Sequence, residues 1–122
     1  MAVLRAEPDA QRYANALQRL APLFMSAGTL IEVGTVVLHK RGERRLQELY
    51  DLLKFSEIVV IAVTEAHAHL AIDAYRRFGK CTQHPAQLNF GDCFSYALAK
   101  TLDQPLLFKG NDFSQTDIRS AL

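Results

Sequence analysis

The chain has 122 residues, 49% of them apolar, so it is the size of one compact domain with a core of its own. A formal net charge of +1 excludes a strongly basic nucleic-acid coat, and any contact with a polyanion must come from a local patch. Two isolated cysteines argue against a zinc cluster or disulfide framework, and neither a transmembrane run nor a secretion signal is recognisable, so we expect a cytoplasmic protein without a membrane partner.

Helices dominate the first half of the chain. The predicted elements are, in order, a helix from Pro8 to about Leu20, a short buried strand at 23–25, a helix that starts between Ser26 and Thr29 and reaches about Lys40, and a third helix that ends near Phe55. Pro8 suits the first helical position because its missing N–H leaves no bond unmade. Gly42 separates the second and third helices, which we expect to pair as a hairpin.

The second half alternates strand and helix. It is predicted to contain a strand at 58–63, a helix capped by Thr64 that ends at Gly79, a loop at 80–88, a helix from about Asn89 to Leu102 and a strand at 105–108. The continuous apolar run at 58–63 is typical of strands buried on both faces of a parallel sheet. The alternation predicts an α/β fold in which helices cover both faces of that sheet.

Three carboxylates follow predicted strands closely enough to meet at one end of the sheet. Glu32 lies near the start of the second helix, Asp92 lies in the first turn of the helix after Asn89, and Asp112 follows the last strand. Ligands bind beyond the carboxyl ends of parallel strands, so the three would face one crevice. Converging carboxylates repel unless a divalent cation neutralises them, and oxygen ligands favour magnesium or manganese. Such an ion suits phosphodiester hydrolysis.

Each carboxylate also has a purely structural explanation. Glu32 could close a capping box with Thr29. Asp92 could complement the positive end of a helix capped by Asn89, and Asp112 could be an ordinary turn residue. Spacing alone leaves these alternatives open.

Four sequence segments, taken together and in order, are more informative than the spacing of the three carboxylates. They are SAGTLIE at 26–32, YRRFGK at 75–80, LNFGDCFSYALAK at 88–100 and PLLFKGNDF at 105–113. In this order they resemble the VapC-type PIN-domain toxins, and the similarity covers essentially the whole chain. The resemblance implies a three-layer PIN sandwich in which Glu32, Asp92 and Asp112 are catalytic and bind magnesium, with manganese possible. It also implies a metal-dependent endoribonuclease that cleaves single-stranded regions of RNA.

The resemblance implies partners as well. The toxin of such a pair binds a VapB-type antitoxin that covers the active site, and it usually forms a homodimer. Basic residues beside the crevice could contact RNA phosphates; they are Arg76, Arg77, Lys80 and Lys109. The alternative is that these cations only solvate and stabilise helix ends.

Histidine and cysteine chemistry receives less support. His67 and His69 are two apart on a predicted helix and point to different faces, so we interpret them as ordinary surface or interface residues. Cys93 lies at a helix start, where a thiol can become reactive, but no histidine is placed by sequence as its base. We therefore expect Cys93 to be a small buried apolar residue.

The sequence departs from the family at its N-terminus. Members normally open with a short apolar strand ending in an aspartate, and the segment 1–4 resembles the residues that follow that strand. The resemblance thus implies a single PIN domain over 1–122 that is N-terminally incomplete, with the central strand and its aspartate upstream. On that basis we expect the printed chain to be poorly stable and weakly active or inactive. The alternative function is a catalytically inactive remnant that still binds the antitoxin and dimerises.

Overall fold

The computed structural model describes residues 23–104 and 113–119, so the elements predicted at 8–20 and 105–108 lie outside the described residues. The described elements are β1 (Phe24–Ser26), α1 (Ala27–Arg41), α2 (Glu43–Phe55), β2 (Val59–Ile61), α3 (Glu65–Phe78), α4 (Phe90–Leu102) and a short 3-10 helix at Phe113–Gln115. None of the helices within these ranges has the length and apolar content that a bilayer crossing requires.

The two strands pair in parallel, which confirms the predicted α/β class. Phe24 lies opposite Val59 and Ser26 opposite Ile61, so the register is continuous over three residues. The expectation that the second strand is buried on both faces is wrong for its observed extent, since Val59 is 43% and Val60 40% exposed. Among the described elements, β2 packs chiefly against β1 and α1, and this leaves part of its surface open.

Helices α1 and α2 form the predicted hairpin. Gly42 joins them with a φ of +87°, a value that favours glycine, and its N–H donates to the carbonyl oxygens of Val37 and Leu38. One side of the hairpin buries a small apolar cluster that includes Val33, Leu49 and Leu53. The hairpin is therefore held both by its turn and by its core.

Helices α3 and α4 build the larger core. The Thr64 hydroxyl accepts from the backbone N–H of His67 at 3.2 Å, so Thr64 caps α3 as predicted. The predicted loop at 80–88 is closed by a bridge between Gly79 and Leu88 and leads into the Asn89 cap of α4. The buried members of this core are Ala74, Phe78, Ala86, Leu88, Cys93, Tyr96, Ala99, Phe113 and Ile118.

Candidate metal centre

The beginnings of α1 and α4 cross in close contact. A Cβ added to Gly28 would collide with the ring of Phe94, so glycine is what allows the two backbones to approach. Next to this contact, the hydroxyl oxygens of Thr29 and Ser95 lie 2.9 Å apart in a hydrogen bond. The crossing fixes the first two turns of α4 against the first two turns of α1.

The same crossing places Glu32 at the start of α4. A Cβ built on Gly91 would fall on the Glu32 carboxylate, so this carboxylate lies directly against the Gly91 backbone. Gly91 immediately precedes Asp92 in the chain. Two of the three carboxylates predicted from sequence are therefore brought to the same helix turn.

The capping explanation for Glu32 is wrong. Helix α1 begins at Ala27, two residues before Thr29, with Ser26 as its N-cap, and the Ser26 hydroxyl accepts from the Gly28 N–H at 3.1 Å. Thr29 lies inside the helix and its hydroxyl is bonded to Ser95, so it does not form a capping box with Glu32. The position of Glu32 is explained instead by its contact with α4.

The capping explanation for Asp92 is confirmed. The Asn89 side chain accepts from the Asp92 N–H at 2.8 Å, and Oδ2 of Asp92 accepts from the Asn89 N–H at 3.0 Å. This reciprocal pair fixes the orientation of a carboxylate that is only 9% exposed. A carboxylate offers about four lone-pair sites on two oxygens, so a capping bond and a metal bond are chemically compatible.

The chemistry of these donors fits a hard divalent cation. Glu32 is partly buried and Asp92 is buried, and both present oxygen ligands at the electropositive start of one helix. Residues 23–104 and 113–119 contain no cluster of three or more acidic, histidine or cysteine side chains. Asp112, the third predicted ligand, lies outside the described residues.

The basic residues predicted to contact RNA lie in different environments. Arg77 lies 3.5 Å from Asp73 and donates to the Tyr96 hydroxyl at 3.3 Å, so its guanidinium belongs to a network between α3 and α4. Arg76 forms an exposed pair with Asp73 at 3.2 Å, and Lys80 is exposed at the start of the loop. Lys109 lies outside the described residues.

Asp117 completes that network, a role that no sequence pattern predicted. Its carboxylate accepts from Lys100 at 2.6 Å and from the Tyr96 hydroxyl at 2.9 Å. Burial alone would raise the pKa of Asp117, but these hydrogen bonds and the Lys100 charge hold the pKa below its ordinary value. Burial, followed by the bond to Asp117, raises the pKa of Tyr96 to about 12. The network ties the segment at 113–119 to α4.

Cys93 is buried, as predicted, whereas the interpretation of His67 as a surface residue is wrong. Burial, and then the neighbouring Asp92 charge, raises the pKa of the Cys93 thiol to about 11, which disfavours a thiolate. His67 is only 5% exposed although its neighbours Glu65 and Ala66 are exposed, while His69 lies on the exposed side near Glu65. These positions agree with the expectation that the two histidines point to different faces.

An apolar groove runs between α3 and the start of α4. Its volume is about 670 Å³, within the range of ligand-binding clefts. Its lining consists of Val63, Ala68, Ala71, Ile72, Tyr75, Arg76, Phe90, Cys93 and Phe94. Arg76 is the charged member of this lining.

Comparison with known proteins places the chain in a family. The model of the PIN domain matches residues 1–119. Ribonuclease VapC28 of Mycobacterium tuberculosis is 46% identical over 122 residues, which cover 100% of this chain and 92% of that protein. Ribonuclease VapC30 of the same species is 43% identical over 97% of this chain and 89% of its own length. The chain therefore belongs to the PIN-domain family and, within it, to the VapC ribonucleases.

Proposed function

We propose that this protein is the toxin of a toxin–antitoxin pair and acts as a magnesium-dependent endoribonuclease on single-stranded regions of RNA. The observation that carries the proposal is the contact of the Glu32 carboxylate with Gly91, beside the buried Asp92. This places two acidic groups of a PIN domain at one helix start. The names of the relatives, which are ribonucleases, support the reaction class.

Glu32 and Asp92 would hold the metal ion, and we propose Asp112 as a further ligand. When bound, magnesium or manganese acidifies a water molecule and stabilises negative charge on a phosphodiester. The residues of the chain contribute by holding the two carboxylates in position. Asn89 holds the Asp92 carboxylate through the reciprocal cap, and the contact with Gly91 holds the Glu32 carboxylate against the same turn of α4. The N-terminus of α4 also favours the approach of an anionic phosphate.

We further propose that the cationic residues beside the site guide RNA. Arg76 and Lys80 are exposed and can contact the backbone, and Lys109 is a third candidate. Arg77 would contribute less directly, because it is engaged by Asp73 and Tyr96. Such contacts make RNA affinity fall as the salt concentration rises.

The proposed partners are a VapB-type antitoxin and a second copy of the chain, in the cytoplasm. The resemblance supports both, and the VapC names of the relatives agree with an antitoxin partner. An antitoxin that covers the carboxylates would inhibit by excluding RNA, and an inserted arginine would suit two acidic groups.

A cleavage assay tests the function. End-labelled single-stranded RNA is incubated with the protein in magnesium or in EDTA, and Glu32→Gln and Asp92→Asn are compared with the parent. The matched control is Glu48→Gln, an exposed carboxylate on α2 that pairs with Arg45. We expect cleavage to need magnesium, to fall at least tenfold in the first two variants and to persist in the control. Cleavage that survives EDTA and both site substitutions would contradict the proposal.

The alternative function has its own test. If the protein does not cleave RNA in magnesium but binds the purified antitoxin, the inactive binding module is the better description.

A further inference from the structure

Phe90 is an exposed aromatic residue beside the candidate metal centre. It is the first residue of α4 and is 75% exposed. It precedes Gly91, which the Glu32 carboxylate contacts, and lies two positions before Asp92. Exposure alone assigns no role, since Phe55 on α2 is 89% exposed. What distinguishes Phe90 is its position next to the carboxylates.

The Phe90 ring is supported by a second aromatic ring. The ring of Phe94, one turn along α4, packs against it with centroids 5.2 Å apart and an interplanar angle of 85°. Phe94 is itself fixed by its contact with Gly28 of α1. A ring supported in this way loses little conformational freedom when a flat ligand stacks on it.

The groove beside Phe90 combines aromatic and cationic chemistry. Phe90 and Tyr75 lie on its two helical walls, and Arg76 adds a guanidinium. An aromatic surface next to a cation is the combination that binds single-stranded nucleic acid, because bases stack and phosphates pair with the charge. The Arg76 side chain is 70% exposed, so its pair with Asp73 leaves it accessible to solvent.

We propose that Phe90 is a stacking platform for one unpaired nucleobase next to the cleaved phosphate, with Arg76 contacting an adjacent phosphate. The inference rests on the proposed function, and it adds a residue that positions the substrate. An apolar protein segment could also fill the groove. The position of Phe90 next to the carboxylates and the charge of Arg76 favour RNA over such a segment.

A binding measurement tests the platform without cleavage. A short single-stranded RNA with 2-aminopurine at successive positions is titrated with the protein in EDTA, and quenching of its fluorescence reports stacking. Phe90→Ala should weaken binding about 5- to 100-fold and abolish quenching at one position, whereas Phe90→Trp should retain both. The matched control is Ile72→Ala, which removes a 58% exposed apolar side chain from the same groove and should change the affinity less than twofold.

Three results would overturn the inference. The first is unchanged affinity and quenching in Phe90→Ala. The second is an equal loss in Ile72→Ala, which would indicate general apolar docking. The third is a change of molecular mass by light scattering in Phe90→Ala, which would indicate an interface between copies of the chain. Circular dichroism checks that the variants fold, as expected for side chains this exposed.

Cleavage in magnesium separates this inference from the proposed function. Phe90→Ala should raise KM with little change in kcat, whereas Glu32→Gln should lower kcat and leave 2-aminopurine quenching intact. If the parent stacks RNA on Phe90 but never cleaves it, the proposed function fails and the platform stands. If the parent cleaves RNA and Phe90→Ala keeps its KM and affinity, the platform fails and the proposed function stands.

Discussion

The Glu32 carboxylate occupies the space that a side chain at Gly91 would fill. Gly91→Ala should therefore push Glu32 away from the start of α4. We expect a loss of about 1–3 kcal/mol in the free energy of unfolding, the usual cost of overpacking, together with at least tenfold weaker manganese binding. Urea unfolding and calorimetric titration with manganese measure the two effects.

Gly34→Ala is the matched control for this substitution. Gly34 is also buried in a helix, but a Cβ there would lie at an ordinary 3.6 Å from Cδ1 of Leu46. Alanine should be neutral or stabilise α1 by up to about 1 kcal/mol, because it is the better helix former. If both alanine variants bind manganese as the parent does, the contact at Gly91 does not position a metal ligand.

Asp92 combines a capping role with a proposed metal role, and two substitutions separate them. Asp92→Asn keeps an oxygen that can accept from the Asn89 N–H, so stability should change by less than about 1 kcal/mol while manganese affinity falls at least tenfold. Asn89→Ala removes the cap and should cost about 0.5–2 kcal/mol. The same unfolding and titration measurements apply to both.

The losses of manganese affinity in the two variants decide whether Asp92 is a metal ligand and whether the cap orients it. If Asp92→Asn binds manganese like the parent, Asp92 is a helix cap and nothing more. If Asn89→Ala loses metal affinity as fully as Asp92→Asn, the cap is required to orient the ligand, and the measured loss gives the size of that contribution.

Local sequence signals predicted the helix ends that depend on neighbouring residues. Thr64 and Asn89 cap the helices as expected, and Gly42 adopts the positive φ that separates the hairpin helices. Each of these depends on a side chain or backbone conformation within three residues. The family resemblance then selected Glu32 and Asp92, which spacing alone left open.

Contacts between residues far apart in the sequence explain which sequence-based predictions were wrong or missing. Ser26 and Thr29 can both cap a helix. Ser26 is the cap of α1, whereas Thr29 forms a hydrogen bond with Ser95, 66 residues away. The burial of His67 and the role of Asp117 likewise depend on packing between elements. The pattern of neighbouring residues therefore indicates neither feature.

Asp117 should make stability depend on acid pH. A pKa that folding lowers contributes stability above the unfolded value of about 4, and this contribution is lost as pH falls through the folded value. Since the Asp117 side chain is 39% exposed, we expect Asp117→Asn to cost at most about 1 kcal/mol at pH 7. The difference from the parent should shrink below pH 4. Urea unfolding at pH 7, 5 and 3 measures this dependence.

Asp51→Asn is the control for that series. The Asp51 carboxylate is exposed on α2 and accepts from the neutral Gln47 amide at 3.0 Å, so Asn can keep this hydrogen bond and the variant controls for the loss of one surface carboxylate. A difference between Asp117→Asn and the parent that stays constant from pH 7 to 3 would mean that the network is held by shape and not by the Asp117 charge.

The two cysteines should differ sharply in reactivity. Cys81 is exposed, whereas Cys93 is buried and burial raises the pKa of its thiol to about 11, so little thiolate forms at pH 8. Iodoacetamide should therefore modify one thiol of the folded protein and both after unfolding in urea, as counted by mass spectrometry. Cys93→Ala should retain RNA cleavage, because the proposed chemistry uses carboxylates. Rapid labelling of Cys93 in the folded protein would show that the start of α4 opens to solvent.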